Sequence, residues 1–186
     1  MNYLPRTIQP VIEEASKFFK IVMVSGMRQV GKSTLLKQLS SDKRTIISFD
    51  DINNLESAKN APLQFLQLNP PPCFFNQVQR VPEIFKALKI SVDSRSEKGL
   101  YWLSGSQKLS LMSQVSDALP GRLMNFELWP FSIYEIAGKG LEQKPYLPSF
   151  SLSSSLPILD PADTWNAVFQ GFWPELKKAT ETERSC

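Results

Sequence analysis

Histidine is absent from this chain of 186 residues, and it holds only 2 cysteines and 8 glycines. Without histidine there is no Ser-His or Cys-His nucleophile pair, no imidazole general base and no His-ligated zinc or iron site. Cys73 lies in an apolar run and Cys186 is the last residue, so the pair suggests neither a disulfide framework nor a metal centre. A reducing, cytoplasmic setting is the expectation. No uncharged apolar stretch of about 18 residues is present to span a membrane. Pro5, Arg6, Pro10, Glu13 and Glu14 interrupt the region where a signal peptide would carry its apolar core. Charge of one sign is also scarce, since 21 Lys plus Arg against 18 Asp plus Glu leave +3. Neither nucleic acid nor a membrane surface is indicated as a partner. The chemistry left open is that of Lys, Arg, carboxylates, hydroxyls and backbone amides.

What is present is a chain that is 42% hydrophobic, enough for one substantial core with a remainder. A helix is expected over Val11 to Phe19, following Pro10. Ile21 to Val24 is a short, mostly β-branched run without alternation, the pattern of a strand covered on both faces and hence of a parallel sheet. Lys32 to Leu39 places Leu35, Leu36 and Leu39 at helical spacing, and strand character resumes at Ile46 to Phe49. Residues 52–72 are polar and punctuated by proline, with a short helix expected from Pro62 to Leu68. Cys73 to Phe75 reads as the third strand, and Pro82 opens a helix with Ile84, Phe85, Leu88 and Val92 on one face. Leu100 to Leu103 is the fourth strand, Lys108 to Leu119 a helix, and Met124 to Trp129 the fifth strand. Strands alternating with helices predict a three-layer α/β domain over residues 1–140. Residues 141–163 hold Pro145, Pro148, Pro157 and Pro161 with a serine-rich stretch, which predicts a linker. Residues 164–186, with Trp165, Phe169, Phe172 and Trp173, are too few for an independent core. The tryptophans are dispersed, so core packing is expected of them rather than base stacking.

Gly26-Met27-Arg28-Gln29-Val30-Gly31-Lys32-Ser33 fits the Walker A pattern G-x-x-x-x-G-K-S/T at every fixed position, where a predicted strand becomes a predicted helix. A chance match in a chain of this composition has a probability of roughly 0.4%. The chemistry requires these residue types. Gly26 and Gly31 let the backbone turn its N–H groups inward onto phosphate oxygens, a cradle to which Gln29, Val30 and Thr34 also contribute. The helix start adds its positive dipole end, Lys32 neutralises the β and γ phosphates, and the Ser33 hydroxyl is the expected Mg²⁺ ligand.

From this loop onward the chain resembles the prokaryotic AAA+-type P-loop ATPases that carry a C-terminal domain of uncharacterised function. The words that carry the resemblance are residues 26–34, Ser48-Phe49-Asp50-Asp51, Val78-Gln79-Arg80-Val81-Pro82-Glu83, Leu103-Ser104-Gly105-Ser106-Gln107, Leu119-Pro120-Gly121-Arg122, Leu128-Trp129-Pro130-Phe131-Ser132 and Gly171-Phe172-Trp173-Pro174-Glu175. The resemblance implies five parallel strands with the phosphate loop after the central one, ATP with Mg²⁺ as cofactors, and a further domain that residues 164–186 begin. It also implies an Asp-Glu pair, the Walker B acids, at the end of the third strand. Asn76 and Gln77 stand there instead. An amide is nearly isosteric with a carboxylate but cannot take up a proton, so hydrolysis is expected to be impaired. Asp50 and Asp51 end the neighbouring strand, yet the resemblance already contains them beside its own acids.

Ser106 resembles the polar sensor of the γ-phosphate, with a helix-capping hydroxyl as the alternative. Arg122 resembles an arginine finger, with a surface salt bridge as the alternative. The overall expectation is an ATP-binding protein of AAA+ type, with an oligomer possible. Its rivals are a nucleotide-gated scaffold that recruits a protein partner, a small-molecule kinase, and a truncated remnant of an active ATPase.

Overall fold

The computed structural model describes residues 3–40, 43–106, 115, 118–142, 160–162 and 165. Along the chain run α1 (Gln9–Phe18), β1 (Ile21–Ser25), α2 (Lys32–Ser40), β2 (Thr45–Ser48), α3 (Ile52–Asn60), α4 (Pro62–Leu68), β3 (Cys73–Asn76), a 3-10 turn (Val78–Arg80), α5 (Ile84–Asp93), β4 (Tyr101–Ser104), β5 (Leu123–Glu127) and α6 (Ile133–Ile136). The five strands form one sheet in the order β2-β3-β4-β1-β5, with every pairing parallel. The expected three-layer α/β class is therefore observed. The glycine loop does not follow the central strand, however. β4 occupies the centre, and β1 lies one place over, between β4 and β5.

Two apolar layers follow from the two-residue period of a strand. Ile21 and Met23 of β1 join Phe75, Tyr101 and Leu103 in a core capped by Leu55, Phe65, Phe85 and Leu88 of α3 to α5. Val22 and Val24 face the other way, onto Ile12 of α1 and Leu35 and Leu36 of α2. Both faces of β1 are thus covered, and all five of its residues are buried. The first layer holds a run of ring contacts, Phe49 to Phe75 at 5.7 Å and Phe75 to Tyr101 at 5.7 Å between centroids. Such pairs prefer this spacing and give the layer a fixed arrangement.

The polar stretch after β2 carries no apolar periodicity that predicts a helix at its start. Asp51 makes one there, its carboxylate accepting from the N–H groups of Asn53 and Asn54 to cap α3, and only Leu55 and Ala58 are buried. The expected helix over 108–119 lies outside the described residues apart from Val115, Ala118 and Leu119. Most of the expected linker at 141–163 and segment at 164–186 lies outside them as well. Trp102 is buried as expected, whereas Trp129 and Trp165 are exposed, which corrects the expectation of core packing for those two. Trp129 sits in the turn after β5, where its carbonyl is held and its ring faces outward.

Candidate functional site

The loop between β1 and α2 is forced into its shape by close packing. Gly26 has φ +147°, and a Cβ there would collide with the carbonyl oxygen of Leu128. Only glycine fits. Gln29 adopts φ 65° and Gly31 φ 92°, so two left-handed turns wrap the loop before α2 begins with the Leu35 N–H to Gly31 carbonyl bond at 2.9 Å. A non-glycine residue held at positive φ stores strain of order 1–3 kcal/mol and persists only where its surroundings fix it.

Part of that fixing comes from a residue that sequence reasoning missed. Arg6 is buried, and its guanidinium donates to the Val30 carbonyl of the loop at 2.9 Å and to the Trp129 carbonyl at 2.6 Å. Its Nε lies 3.1 Å from Glu135 Oε1, and Phe131 stacks beneath it at 4.4 Å. Glu135 in turn accepts from the N–H groups of Thr7 and Ser132, both at 2.8 Å. The Val30 and Trp129 partners lie 24 and 123 positions from Arg6, and Phe131 and Glu135 lie farther still, so no local pattern could reveal them.

A cavity of about 580 Å³ opens beside the loop, within the size range of ligand sites. Lys32, Ser33, Thr34, Gln29 and Gly31 line it, as do Asn76, Gln77 and Ser106. The structure therefore gathers most of the expected site residues in one place. Gly26 and Val30 shape the loop from behind. Arg122 is not brought there. It lies beside the start of β1, where its carbonyl accepts from the Ile21 N–H, while the loop follows the opposite end of that strand. Its guanidinium is engaged by both carboxylate oxygens of Asp93, at 2.5 and 3.2 Å. The salt bridge with Asp93 is thus present, and a finger acting on a neighbouring subunit would not lie in this chain's own cavity. A larger depression of about 900 Å³ between α4 and α5 is walled by Leu63, Phe85 and Ile90 and lacks an inward-turned loop.

Inside the cavity Asn76 is a hub. Its Oδ1 accepts from the Ser33 hydroxyl at 2.5 Å and the Ser104 hydroxyl at 2.7 Å, and its Nδ2 donates to Ser48 Oγ at 3.2 Å. Gln77 sits at φ 64°, and its Oε1 accepts from Gln79 Nε2, while Gln79 Oε1 accepts the Ser106 N–H at 3.2 Å. Gln79 thereby ties the end of β3 to the end of β4. The two neighbouring acids have separate duties: Asp51 caps α3, and Asp50 is paired with Arg80 at 2.9 Å. Ser48, Gln79 and Arg80 were visible in the sequence only as members of matching words.

The residues fit a polyphosphate. The Ser106 hydroxyl is buried with no hydrogen-bond partner among the described residues, an orphan at the cavity wall that a phosphate oxygen would satisfy. Lys32 Nζ now donates to the carbonyls of Gly26 and Met27, groups an incoming phosphate would replace. Burial, and secondarily the nearby Arg28, push the Lys32 ammonium below its ordinary pKa. The same residues fit Mg²⁺ poorly. The Ser33 hydroxyl donates to Asn76 and keeps its oxygen free as a ligand, but the adjacent groups are neutral amides, and the one carboxylate lining the cavity among the described residues is held by Arg80.

An inward-turned glycine loop joining a buried parallel strand to a helix, with lysine and serine at the helix start, defines a P-loop nucleotide-binding fold of the α/β class. The chain belongs to the AAA domain family, whose pattern matches residues 18–137. It is similar to an uncharacterized protein of Mycobacterium tuberculosis and one of Mycobacterium bovis, each 25% identical over 124 residues. Those matches cover 66% of this chain and 28% of each relative, so the chain spans less than a third of their length. Among the described residues, no helix is long and apolar enough to cross a membrane.

Proposed function

We propose that this chain binds ATP in the loop-lined cavity and hydrolyses it slowly or not at all. The observation that carries the reading is the pair of amides at the end of β3. Asn76 occupies the position beside the Ser33 hydroxyl, and Gln77 is turned into the cavity wall by Gln79. Neither amide can accept the proton of an attacking water. Loss of general-base assistance costs about 10²–10⁴ in rate, equivalent to roughly 3–5 kcal/mol of barrier. Binding needs none of this chemistry, because it rests on loop N–H groups, the α2 dipole, Lys32 and Ser106.

Substituting Lys32→Ala tests the binding half. A hydrogen bond to a charged group is worth about 1.5–3 kcal/mol, so the dissociation constant for ATP, read by calorimetry, rises by about 10- to 150-fold. An unchanged constant contradicts the reading. The parent protein also carries a pH signature. The lowered pKa of Lys32 means that the free protein sheds this charge earlier than an exposed lysine would, so ATP affinity falls as the pH rises toward the ordinary lysine value of 10.5. The sign for stability is opposite. With the folded pKa below the unfolded one, the unfolded chain binds more protons between the two values, and this group's contribution to stability rises with pH there. Lys32→Ala removes both dependences.

A further inference from the structure

We propose that the cavity takes the nucleoside triphosphate as the metal-free anion, its charge met by Arg28 and Lys32 rather than by Mg²⁺. The inference rests on the ATP-binding reading and specifies the form in which ATP is bound.

Arg28, Lys32 and Arg80 bring three positive charges, and Asp50 brings one negative, so the described wall carries 3 − 1 = +2. Arg80 and Asp50 largely cancel as a pair at 2.9 Å, which leaves Arg28 and Lys32 facing the empty space. Had positions 76 and 77 been the acids that the resemblance implies, the same wall would carry 3 − 3 = 0. A bare triphosphate would then meet two carboxylates at close range, and a divalent cation would be needed between them. With amides that repulsion is absent. Asn76 is also satisfied as an amide, donating through Nδ2 to Ser48 and accepting two hydroxyl protons, while Gln77 accepts from Gln79. The same substitutions that remove a proton acceptor from the cavity thus remove its electrostatic demand for metal.

The test is calorimetric titration of the full chain with ATP at one ionic strength, once with excess Mg²⁺ and once with excess EDTA. The two dissociation constants are expected to agree within about threefold, less than the tenfold that 1.4 kcal/mol represents. The Asn76→Asp, Gln77→Glu double variant is expected to bind at least about tenfold more weakly in EDTA than in Mg²⁺, because two anions now face the phosphates. Binding by the parent protein that needs Mg²⁺ overturns the proposal while leaving ATP binding in place. Metal-independent binding by the double variant overturns the charge argument. Failure of the parent protein to bind ATP in either condition overturns the ATP-binding reading itself.

Discussion

Converting Asn76→Asp and Gln77→Glu together is expected to raise ATP turnover by about 10²–10⁴, the range that a positioned general base contributes. The site is built to receive them. An aspartate at 76 keeps an oxygen for the Ser33 and Ser104 hydroxyls, and the Ser48 hydroxyl, now 3.2 Å from the amide nitrogen, can rotate to donate to the second oxygen. A glutamate at 77 still accepts from Gln79 Nε2. Neither change adds volume or breaks a backbone bond, so the variant should fold and the comparison should be interpretable. Steady-state phosphate release with Mg²⁺ present is the measurement. Equal turnover in parent and variant would mean that the amides do not limit the chemistry.

The second large effect concerns stability. Arg6→Ala removes the guanidinium that answers buried Glu135 and leaves the carbonyls of Val30 and Trp129 without their donor. Breaking one side of a buried ion pair costs about 3–5 kcal/mol, a large share of the roughly 5–15 kcal/mol that holds a typical domain together. Urea unfolding should show a lower midpoint at unchanged slope, the mark of a stability change without a change in the denatured state. Because Val30 belongs to the loop, ATP affinity should weaken in the same variant. A loss below about 1 kcal/mol would show that Arg6 is not the anchor its contacts indicate.

Much of the scaffold could be read from local pattern. The unbroken apolar run at Ile21 to Val24 announced a strand with two covered faces, and Leu35 and Leu36 are the apolar residues α2 buries. The glycine loop was legible because its chemistry restricts each position: Gly26 lies against Leu128, and Gly31 turns at positive φ. What escaped depended on distance along the chain or on a weak apolar signal. α3 buries only Leu55 and Ala58, and its best cue was the capping aspartate at 51. The place of β1 between β4 and β5 is a property of the assembled sheet that no spacing encodes. The Arg80–Asp50 pair joins residues 30 positions apart, and the Arg6 hydrogen bonds to carbonyls span 24 and 123. These polar links do not form the layers. They hold the loop and the cavity wall in place, and that is why they carry no periodicity.

The most direct test follows ATP binding and ATP consumption in one sample of the unaltered chain, with saturation read by calorimetry and nucleotide integrity by chromatography. The account predicts saturable binding, with the bound nucleotide remaining ATP across the titration. Turnover of several ATP per second by protein verified to carry Asn76 and Gln77 would contradict it.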